Sequence, residues 1–289
     1  MIRITRRLSC TVTISVRASP VSPEDFRVLN GTSLVHCGQQ GPGTVAVGSI
    51  KDVEPGVITL SKNDSVLVVG SKGGAWSGTM TASATAALKL PQSLAPEDAA
   101  MLPAVLAAVT ILKKHGGKLK AGDTIIQSAK DSAIGRALLY VAKAKGLNVL
   151  SVPDGVDSKD VALQAAGKVK LAVAQTAGST VLALSRSLAH GGVLVCVHGA
   201  NEPLTSTTRG VQVPVSPLIF SNVSIVGWDF SLWMSSATDE EKQGALAEAL
   251  SLGKGTLGEL RSSATFASSE WKRALASVEK TSQPAVLLF

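Results

Sequence analysis

The spacing of apolar and polar positions divides the chain into two halves with different rhythms. Residues 11–17, Thr-Val-Thr-Ile-Ser-Val-Arg, alternate strictly and predict a strand. Ser22-Pro23-Glu24-Asp25 has the form of a helix start: a hydroxyl cap, proline at the first helical position and acids in the first turn. From 30 to 78 the chain is rich in Gly, Val, Ser and Thr. Its short alternating runs, 44–47 and 65–69 among them, predict a small β-rich unit. Residues 99–115 predict a helix stopped by Gly116-Gly117. The apolar run inside it contains Pro103, falls short of the roughly 18 residues of a membrane span, and reads as buried.

Beyond 120 strands and helices alternate. Strands are expected at 123–129, 147–152, 169–175 and 193–197, with helices at 132–145 and 179–189 between them. That order predicts βαβ units and a parallel sheet. Thr238-Asp-Glu-Glu241 is a capping box opening a helix to about 252. A last helix is expected at 271–278 and a closing strand at 284–289. The fold class is therefore α/β.

The best local signal for chemistry is Asp123-Thr-Ile-Ile-Gln-Ser-Ala-Lys-Asp-Ser-Ala-Ile-Gly135. A strand enters a small-residue turn and then a helix. A dinucleotide needs this arrangement because its pyrophosphate rests on free N–H groups at the positive end of a helix. The residues that would hold the cofactor are Ser128, Lys130, Asp131, Ser132 and Gly135. Asp154 follows Gly135 at the spacing of a ribose-reading acid, and would favour NAD over NADP. The bland alternative is an ordinary βα turn followed by a Pro-Asp-Gly turn. His36-Cys37 lacks companion metal ligands, and His115, His190 and His198 form no triad, so no metal and no catalytic group is assigned.

These segments resemble the medium-chain dehydrogenase/reductase superfamily, and within it the mitochondrial trans-2-enoyl-thioester reductases. Gln127-Ser-Ala-Lys-Asp-Ser-Ala-Ile-Gly135 is similar to that branch's Gln-Asn-Ala-x-Asn-Ser-Gly-Val-Gly turn. Ser216-Pro-Leu-Ile-Phe220, followed by Gly227-Trp-Asp-Phe-Ser-x-Trp233, is similar to its Leu-Ile-Phe … Gly-Phe-Trp-Leu-Ser-x-Trp segment. The resemblance implies a Rossmann-like doubly wound parallel sheet, shortened by one edge unit, beside a truncated GroES-like β-rich lobe. The expected division is 11–103 with 255–289 for the β-rich lobe and 104–254 for the nucleotide-binding lobe. It also implies NADPH as hydride donor to a conjugated acyl thioester, and permits a homodimer.

Composition alters this picture. Aromatic residues are only 3% of 289, and Tyr140 is the single tyrosine. The family's catalytic tyrosine would fall in 30–34, where the chain reads Asn-Gly-Thr-Ser-Leu; Thr32 and Ser33 are no evident substitutes. The polar segment that the family sets beside the nicotinamide corresponds to Val105-Leu-Ala-Ala-Val109, and its inner tryptophan to Asp229. The chain carries a net charge of +7, with Arg3, Arg6, Arg7 and Arg17 ahead of the first acid, Glu24. Residues 1–10 are basic and hydroxylated, as in a mitochondrial targeting segment, and the expected compartment is the matrix.

Three scattered cysteines suit a reducing interior. The reading favoured at this point is a reductase fold with a degraded site, binding no cofactor or NAD(P)H only weakly. It would serve as a non-catalytic structural or assembly subunit of a mitochondrial complex, the mitochondrial ribosome being one candidate. Protein partners, and RNA on the basic surface, follow from it. The alternative is an NAD(P)H-dependent reductase of 2-enoyl thioesters or quinones.

Overall fold

The computed structural model describes residues 10–21, 23–31, 41–69, 74–152, 165, 168–175, 179–197, 215–252, 257, 259–260, 264–281 and 283–289. Two sheets organise the chain. The first contains β1 (Thr11–Val21), β2 (Val45–Val53), β3 (Ser65–Val69), β4 (Thr79–Ser83) and β5 (Ala87–Lys89). The second contains β6 (Thr124–Ser128), β7 (Asn148–Val152), β8 (Val169–Ala174), β9 (Leu188–Val197) and β10 (Ser224–Trp228). The chain then returns to the first sheet with β11 (Thr265–Ala267) and β12 (Ala285–Leu288).

The first sheet runs β11-β12-β1-β2-β3-β5, with β4 also on β1. Its pairs are antiparallel except β11 with β12. β1 is longer than its alternating heptad suggests. It continues to Val21 because β12 pairs with Ala18 to Val21, long after β2 and β4 have taken its first half. The β1–β2 register slips between Val16 and Ala18, so Arg17 is an extra residue on β1, as in a β-bulge. Gly48 lies opposite; a Cβ there would sit 2.1 Å from the carbonyl oxygen of Ser15.

The second sheet is wholly parallel, in the order β10-β9-β8-β6-β7. Its central strands β6 and β8 are buried along nearly their whole length, as a sheet covered on both faces requires. The helix Ala133–Ala144 leaves β6 and buries Gly135, Ala137, Leu138, Val141 and Ala142, one face at helical spacing. The first strand of the sheet therefore has its successor on one side and β8 on the other. That is the topological switch point of a doubly wound α/β sheet.

The helix expected at 99–115 is two helices, Pro96–Ala99 and Leu102–His115. The second begins just before Pro103, whose missing N–H is harmless in a first turn. The helix expected at 179–189 stops earlier, at Ser187, because β9 starts at Leu188 and pairs with Val169. The capping box at Thr238 is formed, and the helix it opens is Asp239–Ser251. Helices at Val215–Phe220 and Phe230–Ser236, and strands β10 and β11, were not anticipated; all are short.

Among the described residues no helix is long and apolar enough to cross a membrane. Cys10 and Cys196 are free thiols. Gly48→Ala forces the backbone of β1 and β2 apart at the bulge. It lowers unfolding stability by about 1–3 kcal/mol in a denaturant titration, the cost of overpacking a rigid site; a shift below 0.5 kcal/mol refutes the contact.

Candidate functional site

β6 ends at Ser128, and the chain turns through Ala129, Lys130 and Asp131 to the cap residue Ser132. The turn is closed by the Ser132 N–H, which donates to the Ala129 carbonyl at 3.1 Å. Ala129 adopts φ 53°, a left-handed conformation that costs a non-glycine residue about 1 kcal/mol. The carbonyl of Ala129 lies directly over Gly135: a Cβ there would come within 2.2 Å of that oxygen and 2.9 Å of the Lys130 Cα. Gly135 is thus required for the turn to fold onto the first coil of its helix.

Ser132 caps the helix. The Gly135 N–H donates to the Ser132 hydroxyl at 2.9 Å. The N–H groups of Ala133 and Ile134 have no acceptor among the described residues. Lys130 and Asp131 are exposed beside them. The uncovered positive end of a helix, a lysine and a glycine-dependent close approach together fit the pyrophosphate of a dinucleotide. Ser128, Lys130, Asp131, Ser132 and Gly135 are therefore brought into one turn; Asp154 lies outside the described residues.

A residue that sequence reasoning passed over completes this turn. Gln175 follows β8 and is buried. Its N–H donates to the Ser128 hydroxyl at 2.9 Å, and its side-chain Nε2 donates to the Ser128 carbonyl at 3.1 Å. Its Oε1 accepts from the Ser132 hydroxyl at 2.6 Å. The sequence signal was a lone amide closing the otherwise apolar end of β8. Beneath the turn, Gln127 is fully buried. Its Nε2 donates to the Gly135 carbonyl at 3.1 Å and to the Ser151 hydroxyl at 3.3 Å, while its Oε1 has no partner among the described residues.

Other candidate positions fall elsewhere. Tyr140 sits on the helix Ala133–Ala144 and donates its hydroxyl hydrogen to the carboxylate of Glu259. Arg136, one turn earlier, donates to the Glu259 carbonyl at 2.7 Å. Tyr140 therefore ties this helix to the segment after 257. The hydrogen bond to Glu259, with smaller help from burial, pushes the Tyr140 hydroxyl above the usual tyrosine range.

Val105 to Val109 are buried in the core, with no polar side chain offered to the carboxyl ends of the strands. Trp228 ends β10 and is mostly buried; Phe230 and Trp233 follow it, ring to ring at 6.2 and 6.0 Å. Asp229 caps the helix Phe230–Ser236, accepting from the Leu232 N–H at 2.7 Å. His36, Cys37, Thr32, Ser33 and His198 lie outside the described residues. Among the described residues no cluster of His, Cys, Asp or Glu could hold a metal. A hollow of about 470 Å³ lined by Arg17, Ser49, Ser65 and Gln92 belongs to the first sheet and takes no part in the turn.

No protein-family model matches the chain. It is 30% identical over 263 residues to the mitochondrial enoyl-(acyl-carrier-protein) reductase of Dictyostelium discoideum, covering 80% of this chain and 73% of that protein. It is 23% identical over 270 residues to the Xenopus tropicalis enzyme of the same description, covering 84% and 75%. Among solved structures, Escherichia coli K-12 YhdH with bound NADPH superposes with a TM-score of 0.78 at 15% identity, over 100% of this chain and 94% of that one. The Etr1p complex with NADP and crotonyl-CoA superposes with a TM-score of 0.73 at 17% identity, over 100% and 93%. The Rossmann-like sheet and the β-rich lobe are therefore those of the medium-chain dehydrogenase/reductase fold.

Two measurements check this geometry. Because Tyr140 is the only tyrosine, tyrosinate absorbance reports it alone. Its midpoint is expected above the usual value of about 10, and Glu259→Gln moves it back down. The stabilisation from this contact is present below about pH 10 and is lost as the pH rises through the raised value. A midpoint at or below 10 contradicts the contact. Gly135→Ala is expected to destabilise the fold by about 1–3 kcal/mol in thermal or denaturant unfolding.

Proposed function

Because the chain belongs to the family of the mitochondrial enoyl-(acyl-carrier-protein) reductases, we propose that it is an NAD(P)H-dependent reductase of 2-enoyl thioesters. The observation that carries this reading is the turn from Ser128 to Gly135. A glycine-dependent close approach and a capped but uncovered helix N-terminus stand there, at the switch point of a parallel sheet. The relatives are enoyl-(acyl-carrier-protein) reductases, and solved neighbours carry NADPH or NADP, which supports NAD(P)H over the absence of a cofactor. The relatives are mitochondrial proteins, and residence in mitochondria is part of the proposal.

When bound, the nicotinamide would supply a hydride to Cβ of the conjugated thioester, with Cα taking up a proton to complete the saturated bond. The chain's own contribution begins with binding. Ser132 holds the helix start, Gly135 lets the Ala129–Asp131 backbone close over it, and Lys130 adds positive charge at the same end. The exposed acid Asp131 lies next to it and opposes part of that charge. The aromatic row Trp228, Phe230 and Trp233 stands at the carboxyl end of the same sheet and offers an apolar wall to an acyl chain. Tyr140 is not the proton donor, since its hydroxyl is committed to Glu259.

One observation favours a second reading. The burial of the apolar segment Val105–Val109 and the commitment of Tyr140 to Glu259 support it, as a member with fewer polar catalysts. A non-catalytic member, retained as a structural subunit of a mitochondrial assembly, would need no such groups.

Titration of the purified protein with NADPH and NADH, followed by nicotinamide fluorescence, separates the two. Saturable binding below about 10 μM, with NADPH-dependent turnover of crotonyl-CoA, is the expected result. Absence of binding by either dinucleotide at 1 mM overturns the reductase reading. Gly135→Ala should weaken binding at least tenfold, because the turn can no longer close on the helix.

A further inference from the structure

We propose that Gln175 is the positioning residue of the dinucleotide turn, acting through Ser132 and Ser128; the inference rests on the reading that this turn binds a dinucleotide. β6 and β8 are neighbours in the sheet but diverge beyond their carboxyl ends, because their connections leave in opposite directions. The crevice between them is where a ligand must enter. Gln175 spans that crevice. Its own N–H and its Nε2 hold the hydroxyl and carbonyl of Ser128, the last residue of β6. Its Oε1 takes the proton of the Ser132 hydroxyl. The two serines lie on either side of the Ala129–Asp131 turn, so one amide clamps both ends of the loop that faces the phosphates.

The clamp also sets the role of Ser132. Its oxygen accepts from Gly135, and its only hydrogen is committed to Gln175. The hydroxyl therefore cannot donate to a phosphate oxygen, and it is locked in the orientation that caps the helix. Recognition is left to backbone N–H groups and Lys130, which need the loop held rigid. The strained left-handed Ala129 lies within this loop. Holding it in place before the ligand arrives removes that ordering cost from binding. Gln175 reaches 43 and 47 residues back along the chain to do so, and it is buried with both ends of its amide in use.

The test is a double-mutant cycle on NADPH binding by the full chain, with Gln175→Ala, Ser132→Ala and the double variant. Gln175→Ala is expected to raise the NADPH Kd about tenfold, the loss of one good hydrogen-bond link. The kcat with crotonyl-CoA should stay within twofold, so that the loss appears in the KM for NADPH. In the Ser132→Ala background Gln175→Ala should raise Kd clearly less than in the wild type, since the link to Ser132 is already gone and only the hold on the Ser128 carbonyl remains to be lost. In the ligand-free protein, hydrogen exchange of the amides at 129–135 should speed up in Gln175→Ala while the central strands β6 and β8 stay protected. If Gln175→Ala unfolds, Gln175→Met keeps the volume, removes the amide and carries the same expectations.

Wild-type binding with an unchanged Kd in the folded variant overturns the role of Gln175 and leaves the reductase reading standing. Fully additive losses in the cycle also overturn it, because a merely structural glutamine would not couple to Ser132. Failure of the wild-type chain to bind either dinucleotide overturns the functional reading itself.

Discussion

The helix Leu102–His115 is the constraint on which the rest of the molecule depends. Leu102 and every residue from Ala104 to Leu112 are buried, so the helix is covered on all sides. One continuous core holds it together with Ala18, Val47, Leu67 and Leu88 of the first sheet and Leu171 and Val195 of the second. Each fully buried leucine, isoleucine or valine contributes about 1.5–3 kcal/mol. The two lobes are thereby halves of a shared interior. Lys242, on the capped helix after Thr238, adds a polar tie between them, donating to the Thr85 carbonyl at 2.7 Å.

That shared core also holds the turn from Ser128 to Gly135 in place. The helix Ala133–Ala144 presents Ala137, Leu138, Val141 and Ala142 to this core. Its N-terminus therefore cannot swing away from the end of β6. Gly135 lets the Ala129 carbonyl approach the helix closely, and the helix end carries the partial positive charge of its free N–H groups. Gln175 closes the remaining freedom from the far side. The turn is held by hydrogen bonds among buried and half-buried groups, where loss of one partner leaves another unsatisfied and costs more than a surface contact would.

The same packing decides what Val105–Val109 and Tyr140 do. The side chains of Val105 to Val109 fill the core. The sole tyrosine serves as a strut to Glu259 on the helix after the turn. Kinship to the enoyl-(acyl-carrier-protein) reductases thus goes with a helix pinned at both ends, by the Ser132 cap and by the Tyr140–Glu259 contact.

Sequence alone determined what is set by short range. The alternation in β1, the small-residue turn after β6 with its Ser132 cap and the capping box at Thr238 are all written within a few neighbouring residues. So is the switch to βαβ rhythm, and all are seen in the structure. The family likeness was legible for the same reason, because its motifs are local strings. What only the tertiary structure decided is set by contacts between distant parts of the chain. β1 extends to Val21 because β12, some 270 residues later, pairs with it. Tyr140 is committed because Glu259 reaches it from 119 residues away. Gln175 closes the turn because the order of the parallel strands sets β8 beside β6. A residue's local neighbours fix its backbone propensity, but its hydrogen-bond partners are chosen by which strands become adjacent, and that follows from burial of the common core.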